Sequence, residues 1–411
     1  MIFLSKWYRL DNAAKIFPPS KNKYDPKIFR FSVSLKDDIN PEVLQQALDL
    51  TKEEYPIFKS VLKKGFFWYY LEESNKPSLV YQEYAPPCSK FKTNMLFEVT
   101  YYKKRINLEV NHALTDGTGT LTFLKSLVAN YLNILYKLEP NEVINLGSIK
   151  EVKEDAFKKY KNKSGKKSQK IVRAYQIKDE KYLENRLKII EGICSTKSIK
   201  QISKKYDATI TEYLVSVLIK SILDSKDNEK TKPIVITVPV NLRNYYPSYT
   251  VRNFFSVVNI VYKGNSKELS DIINVVKLEF QKCLSKMEID SKMNKMVKLE
   301  EIFILRLVPR FLKDGILKLI YNFTKYFQTM TLSNIGVIKM PQIYEEYIDY
   351  FDVFISTATI QLCMCSYQDK MVMSFTSQFV NSEIEKNFFR YLTNQNVEVV
   401  INSNKMENEN D

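Results

Sequence analysis

Residues 109–119 read EVNHALTDGTG, and the interpretation of the rest of the chain depends on this stretch. It contains His112, the only histidine among 411 residues. A strand-like run, Arg105–Val110, precedes the histidine, and a helix-like run begins near Thr118. Asp116 follows the histidine by four residues, so a turn could hold its carboxylate near the imidazole or use it to anchor the turn.

The same stretch contains two of the nine glycines, Gly117 and Gly119, where we expect the backbone to bend sharply between strand and helix. Two interpretations are open. The stretch is either an ordinary strand–turn–helix junction with an incidental histidine, or a general base mounted at the end of a strand. Because imidazole is the side chain whose ordinary pKa lies near neutral pH, and the chain has only one, we favour the general base.

Length and composition predict a globular protein with two domains. A chain of 411 residues is long for a single hydrophobic core, and 45% hydrophobic residues exclude a disordered class. The net charge of +15 suits an anionic partner, but it also fits a lysine-rich composition spread along the chain. Since the chain has no arginine-rich stripe and no RNP-like segment, we do not expect nucleic-acid binding.

The cysteines and the apolar segments indicate the compartment. The five cysteines have no zinc or redox spacing, and Cys363 and Cys365 alternate in an apparent strand as core-facing thiols. Reduced cysteines and the lack of a signal-peptide pattern predict a cytoplasmic protein. The most apolar long segment, Ile302–Phe323, has too many charges for a membrane span. We expect an amphipathic helix that covers a domain face, with peripheral membrane contact as the alternative.

Hydrophobic periodicity predicts strands and helices along the whole chain. In the first half the predicted strands are Ile28–Ser34, Phe66–Leu71, Asn94–Tyr102 and Arg105–Val110, and the helices are Pro41–Glu54, capped by Asn40, and Thr118–Tyr136. In the second half the strands are Leu187–Cys194, Pro233–Pro239, Asn253–Tyr262, Thr329–Leu332, Asp352–Thr357, Thr359–Ser366 and Met371–Thr376. The helices there are Ser198–Tyr206, Thr211–Leu223, Glu268–Leu284, Lys298–Phe323 and Ser382–Leu392. Helices and strands mix without regular βαβ alternation, which indicates an α/β chain with mixed (α+β) sheets rather than a doubly wound parallel sheet.

A lysine-rich run lies between the two halves. Residues 158–170 read KKYKNKSGKKSQK and are nearly free of apolar side chains, which favours a solvated connector over a docking tail for an anion. We therefore predict an N-terminal subdomain over residues 1–152, a basic linker over 153–178 and a C-terminal subdomain over 179–411.

Four motifs together resemble those of one enzyme superfamily. Residues 112–117 match HxxxDG, the signature of acyltransferases related to chloramphenicol acetyltransferase, a superfamily that includes plant BAHD acyltransferases, the condensation domains of peptide synthetases and alcohol acetyltransferases. Residues 7–13, WYRLDNA, resemble the start of alcohol acetyltransferase-like proteins. The segment Pro239–Arg243, followed by Asn253 and Phe254, resembles the Pro-x-x-x-Arg strand end, and residues 332–336, LSNIG, resemble Ser-Asn-x-Gly. The plant motif Asp-Phe-Gly-Trp-Gly is absent, which argues against a close BAHD relation.

The resemblance implies two similar chloramphenicol acetyltransferase-like subdomains with a tunnel between them and His112 at its middle. Acyl-CoA, most simply acetyl-CoA, would enter from one side as cosubstrate and a small alcohol from the other. Direct transfer in a ternary complex would then give an ester.

The same resemblance implies roles for individual residues. His112 would be the catalytic base, and Asp116, in the active-site turn with Gly117, would pair with Arg243 rather than contact substrate. Ser333 and Asn334 would be donors to the oxyanion or the substrate, although both also suit an ordinary turn.

Two other functions remain open. One is an acyltransferase or condensation enzyme that acts on an amine or a carrier-bound acyl chain, for which a basic surface could dock an acyl carrier protein. The other is a catalytically silent binding member of the fold. The sequence contains no Gly-x-Ser-x-Gly, P-loop, Gly-x-Gly-x-x-Gly or metal-ligand pattern, so we expect neither covalent catalysis nor a bound cofactor or metal.

Overall fold

The computed structural model describes residues 6–139, 147–160, 171–182, 186–225, 232–264, 266–301 and 307–404. The strands are β1 (Trp7–Arg9), β2 (Ile28–Leu35), β3 (Ser60–Lys64), β4 (Tyr69–Glu73), β5 (Val80–Gln82), β6 (Phe97–Tyr102), β7 (Arg105–Asn111), β8 (Lys188–Ser195), β9 (Ile234–Asn241), β10 (Phe255–Tyr262), β11 (Met330–Ile338), β12 (Ile348–Ile355), β13 (Ile360–Tyr367), β14 (Lys370–Ser377) and β15 (Val399–Ser403). The helices are α1 (Phe17–Ser20), α2 (Pro41–Glu54), α3 (Gly117–Tyr136), α4 (Ile149–Val152), α5 (Ala156–Lys159), α6 (Thr196–Lys205), α7 (Ile210–Asp224), α8 (Leu269–Cys283), α9 (Lys286–Glu301), α10 (Arg310–Thr324) and α11 (Glu383–Asn394).

The first sheet has five strands in the order β12-β2-β7-β6-β5, and α2 and α3 pack together beside it. Only β5 and β6 pair in parallel; the other neighbours are antiparallel. The predicted start of α2 is confirmed, since the Asn40 side chain accepts hydrogen bonds from the backbone N–H groups of Glu42 and Val43 while Pro41 begins the helix. The second predicted helix is also confirmed and begins one residue earlier, at Gly117.

The second sheet has seven strands in the order β10-β9-β11-β13-β14-β8-β15. The pairs β9–β11 and β11–β13 are parallel, and the other pairs are antiparallel. This confirms the expected mixed sheet. Helix α7 packs on both α8 and α11 beside its core, where Leu214, Ile236 and Phe388 are fully buried.

The two halves of the chain share a strand. β12 comes from the second half but pairs antiparallel with β2 over nearly its whole length, and so it completes the first sheet. A third, small sheet, β1-β4-β3, lies in the first half. The boundaries at residues 152 and 179 stay a prediction, and residues 161–170 of the predicted linker lie outside the described part of the chain.

Several predicted elements have other bounds in the structure: the strand expected from Asn94 begins at Phe97, and the strand expected over Asp352–Thr357 is Ile348–Ile355. The helix expected over Lys298–Phe323 is wrong as one continuous element. Residues 298–301 belong to α9 and residues 310–323 to α10, and Pro309 between these helices has an extended backbone, since proline fits a helix only at its start. The strand expected at Phe66 begins only at Tyr69, after a turn closed by the hydrogen bond from Gly65 N to Trp68 O (3.0 Å). The short strand predicted to end at residue 332 continues to residue 338 as β11.

The sequence also predicts where the apolar segment and the cysteines lie. Helix α10 does not cover a domain face with its apolar side chains, since Phe311, Leu319 and Phe323 are 65%, 71% and 56% exposed. No helix in the described ranges is long and apolar enough to cross a membrane. Cys363 and Cys365 are buried in the core of the first sheet, as predicted for core-facing thiols.

Candidate active site

His112 lies in the turn between β7 and α3, and an aromatic cage surrounds its ring. Its backbone N–H donates a hydrogen bond to the carbonyl oxygen of Lys27 (2.9 Å). The ring of Phe17 stacks on the imidazole at a centroid distance of 4.6 Å, and the ring of Phe29 lies 4.4 Å away on a tilt. Phe255, the first residue of β10, closes a third side at 6.3 Å. The imidazole is therefore held between both sheets in apolar surroundings.

This environment keeps the imidazole neutral. Burial lowers the pKa of His112 to about 4, because the apolar cage disfavours the charged form. The negative charges of Asp116 and Asp25 and hydrogen bonding by Asn253 oppose the shift, whereas the positive charge of Lys27 adds to it. At neutral pH the ring therefore carries no charge and can accept a proton.

Asp116 anchors the turn that carries the histidine. As the N-cap of α3, its Oδ1 accepts a hydrogen bond from the N–H of Gly119 (2.9 Å). Its Oδ2 accepts one from the N–H of Phe254 (2.7 Å) and faces Arg243 Nη1 at 2.9 Å. The sequence left two roles open for this carboxylate, contact with the imidazole or anchoring of the turn. The hydrogen bonds to Gly119, Phe254 and Arg243 are those of an anchor.

Arg243 reaches this carboxylate from the second sheet. It follows β9 in a short 3₁₀ turn, and the structure brings it to Asp116 as the resemblance implied. Four hydrogen bonds to backbone carbonyls hold the guanidinium: Nε and Nη2 donate to Thr250 O at 3.1 and 2.8 Å, Nη2 donates to Arg252 O at 2.7 Å, and Nη1 donates to Phe254 O at 3.4 Å. The ion pair thus connects the histidine turn to the strand end of the other sheet.

Asn253 is a site residue that sequence reasoning left without a firm role. Its Nδ2 donates to the backbone oxygen of His112 (3.1 Å) and to Asp11 Oδ2 (3.2 Å). Asp11 lies beside Arg252, and burial raises the pKa of its carboxyl to about 6. The WYRLDNA segment is therefore joined to the histidine turn through one amide. In the sequence, the only indication of a link between Asp11 and Asn253 was that each lies in or beside one of the four motifs.

The glycines of the turn are required for a different reason from the one expected. The chain turns between β7 and α3 as predicted, but neither Gly117 nor Gly119 has a positive φ, so the turn does not depend on the conformational freedom of glycine. A Cβ atom on Gly119 would lie only 2.0 Å from the backbone oxygen of Val251, which the turn approaches closely. A Cβ on Gly117 would lie 3.2 Å from Ile335 Cδ1. The second sheet therefore packs directly on the turn.

Ser333 and Asn334 lie within β11, on the segment that touches the turn through Ile335. The Asn334 amide is engaged at both ends: Nδ2 donates to Thr211 Oγ1 (2.8 Å), and Oδ1 accepts from the N–H of Gly336 (2.8 Å) beside a bulge in the strand. These contacts give Asn334 a structural function in β11. The predicted donor role of both residues stays a prediction.

A groove of about 320 Å³ lies along β10. Alternate residues of a strand share one face, so Phe255 at the imidazole is on the same face of β10 as three groove residues, Val257, Asn259 and Val261. Opposite that face the groove is lined by Lys292, Lys295 and Met296 of α9 and by Ile171, Val172 and Phe327. Within the described residues, no group of His, Cys, Asp and Glu side chains could hold a metal ion.

No family model and no curated protein matches the sequence. Several solved structures, however, are similar over almost the whole chain. Polyketide synthase associated protein 5 from Mycobacterium tuberculosis has 11% sequence identity, a TM-score of 0.66, and coverage of 94% of this chain and 96% of its own. Trichothecene 15-O-acetyltransferase from Fusarium sporotrichioides has 12% identity, a TM-score of 0.62, and coverage of 95% and 94%. The starter condensation domain of rhizomide synthetase in complex with C8-CoA has 12% identity, a TM-score of 0.60, and coverage of 95% of both chains.

The chain therefore has the two-subdomain chloramphenicol acetyltransferase-like fold. At these identities the likeness establishes the fold, whereas an activity has to be derived from the site itself.

Proposed function

We propose that the protein is an acyl-CoA-dependent O-acyltransferase that moves an acyl group, acetyl in the simplest case, directly from the thioester to an alcohol. The observation that carries this proposal is the state of His112. The only imidazole of the chain is neutral, caged by aromatic rings and fixed through both its backbone N–H and its backbone oxygen. A neutral, positioned imidazole is what a general base for a hydroxyl group requires.

The reaction then follows in one sequence of bond changes. Nδ1 of His112 is buried, so Nε2 is the nitrogen offered to the acceptor. Nε2 takes the hydroxyl proton while the acceptor oxygen bonds to the thioester carbonyl carbon. The tetrahedral intermediate collapses as the carbon–sulfur bond breaks, and the proton passes from Nε2 to the CoA thiolate. Ser333 is the candidate donor to the oxyanion, because both ends of the Asn334 amide are already engaged.

The groove along β10 supports a CoA thioester as the donor. Val257, Asn259 and Val261 of β10 line one side of the groove, and Lys292 and Lys295 contribute two cations that suit the phosphates of CoA. Lys292 Nζ is already bonded to the Val257 carbonyl (3.1 Å), which leaves the exposed Lys295 as the better phosphate contact. We expect Lys295→Ala to raise KM for acyl-CoA with kcat retained, while Lys298→Ala, on the same helix outside the lining, leaves KM unchanged.

Release of free thiol from acyl-CoA tests the proposal. Wild type and His112→Ala are compared with a panel of short and long alcohols, amines, and acyl groups presented on phosphopantetheine or a carrier protein. We expect alcohol-dependent release that falls by about 10²–10⁴-fold in the variant.

Other outcomes separate the alternatives. Release without any acceptor indicates thioester hydrolysis, and release only with a carrier-bound donor or an amine indicates a condensation enzyme. Equal rates in wild type and His112→Ala would remove the histidine from the mechanism. No release with any donor, despite binding of acyl-CoA, would leave a binding protein.

A further inference from the structure

Helix α10 presents its apolar side outward. Over Leu307–Phe323, the side chains of Leu307, Phe311, Leu312, Ile316, Leu319, Ile320 and Phe323 are all at least half exposed; we call this set the apolar face. At about 100° per residue, the members within α10 cover one continuous half of the helix surface. Phe66, 71% exposed in the neighbouring turn, extends the same kind of surface. Such a contiguous patch on a folded domain marks a site of interaction.

The polar side of α10, by contrast, is bonded to the protein. Arg310 Nε donates to Gly65 O (3.1 Å), and Lys313 Nζ donates to Phe67 O (3.2 Å) and lies 3.7 Å from the ring of Trp68. Asp314 Oδ2 accepts a hydrogen bond from the Tyr69 hydroxyl (3.0 Å). A helix of ordinary orientation would bury the apolar face instead. The hydrogen bonds of the polar side therefore fix the inverted orientation.

We propose that the apolar face docks the protein on an anionic phospholipid bilayer. Residues 307–327 contain four basic residues and one acidic residue, and the acidic one, Asp314, is paired with Arg310 (2.8 Å). Lys318 and Lys325 are exposed, lie seven residues apart and therefore flank the apolar face on one side of the helix. Apolar side chains bordered by lysines are the pattern of helices that lie in a membrane interface.

Charge also favours a bilayer over a second copy of the chain. The whole chain carries +15, and a second copy would bring a second molecule of the same positive charge to the apolar face. An anionic lipid surface instead attracts each of the flanking lysines. The complementary partner is therefore the membrane.

Docking through α10 would also place the membrane near the reaction. Tyr321, on the inner side of α10, accepts a hydrogen bond from Lys27 Nζ, and the Lys27 carbonyl accepts the N–H of His112. Helix α10 packs on α1, whose Phe17 stacks on the imidazole. On the proposed function, on which this consequence rests, an acceptor dissolved in the bilayer would approach the imidazole from the side of the protein on which α10 lies.

Flotation of the full chain with vesicles tests the proposal. Vesicles of phosphatidylcholine alone are compared with vesicles that also contain phosphatidylglycerol. We expect binding to the anionic vesicles that falls at least tenfold in Leu319→Glu. Leu278→Glu is the matched control, because Leu278 is 66% exposed on α8, far from α10 in the sequence, and it should bind like wild type. Replacing Lys318 and Lys325 by glutamate should weaken binding about fivefold or more for each lysine.

Three results would overturn the proposal. Wild type that stays with the soluble fraction has no membrane affinity. Equal losses in Leu319→Glu and Leu278→Glu would mean that the apolar face is not the contact. A wild-type dimer that Leu319→Glu converts to a monomer, as measured by light scattering, would assign the face to a second copy. Flotation measures vesicle binding and needs no turnover. Each of these results can therefore be interpreted even if the protein proves catalytically inactive.

Discussion

The Asp116–Arg243 ion pair makes the most specific prediction about this site. The carboxylate of Asp116 is buried and accepts four hydrogen bonds, two from the guanidinium of Arg243 and one each from the N–H groups of Gly119 and Phe254. Asp116→Ala removes all four. The variant leaves a buried cation without its counter-ion and two backbone donors without acceptors.

The magnitude follows from those losses. Breaking a buried ion pair by removing one partner costs about 3–5 kcal/mol, and we expect the free energy of unfolding of Asp116→Ala to fall by that amount. Asp116→Asn is not conservative here, because either orientation of the amide points its NH₂ group at one N–H of Arg243 and one backbone N–H. We expect it to lose about 2 kcal/mol or more.

Urea unfolding followed by tryptophan fluorescence measures these values. Glu53→Ala is the matched control, since Glu53 forms a surface ion pair with Lys59 and its side chain is 74% exposed; such pairs contribute little. A double-mutant cycle with Arg243→Met isolates the pair itself. We expect the double variant to be about 1–3 kcal/mol more stable than the sum of the single losses implies.

Two results would refute this reasoning. One is a loss in Asp116→Ala no larger than that in Glu53→Ala. The other is additivity in the cycle to within about 0.5 kcal/mol, which would mean that the two residues act separately. Acyl transfer should fall together with stability, because the same turn carries His112.

The remaining predictions concern the imidazole and its surroundings. Because desolvation by the aromatic cage lowers the pKa of His112 to about 4, kcat/KM should stay level down to about pH 5; an inflection near pH 6.5 in the rate profile would contradict a caged, neutral ring. The unfolded chain binds this proton more tightly, so stability in urea should rise with pH between about 4 and 6.5, and His112→Phe should lack that component. Asn253→Ala should lower kcat with little change in KM for acyl-CoA, since it releases the backbone oxygen of His112; a change in KM alone would argue against a positioning role. Gly119→Ala should destabilise the fold strongly, because its Cβ would lie 2.0 Å from Val251 O. The control Gly315→Ala in α10 should raise Tm, since its Cβ meets no atom within 4 Å and alanine favours a helix. Similar melting curves for the two variants would refute the close approach at Gly119.

Features that depend on neighbouring residues could be predicted from the sequence. Asn40 and Pro41 predicted the start of α2, because a cap and a first-turn proline act on neighbouring backbone groups. The alternation of Cys363 and Cys365 predicted core-facing thiols for the same reason, since side chains on a strand alternate between its faces. The unique histidine in HxxxDG pointed to the candidate site, because the motif is a short run of neighbouring residues.

Contacts between residues far apart in the chain could not be predicted from the sequence in this way. Asp116 and Arg243 lie 127 residues apart, and only the resemblance suggested their pairing. The link from Asn253 to the histidine carbonyl, and the aromatic cage of Phe17, Phe29 and Phe255, exist only because two sheets meet at the turn. A periodicity describes one element and carries no information about the element that will face it.

Helix α10 separates the two kinds of information most clearly. Its sequence determined that one side of the helix is apolar and the other polar. Which side faces the protein was decided by the carbonyls of Gly65 and Phe67 and the hydroxyl of Tyr69, which engage Arg310 and its neighbours. Burying charged groups requires partners at hydrogen-bonding distance, and only the tertiary structure brings those partners to the helix.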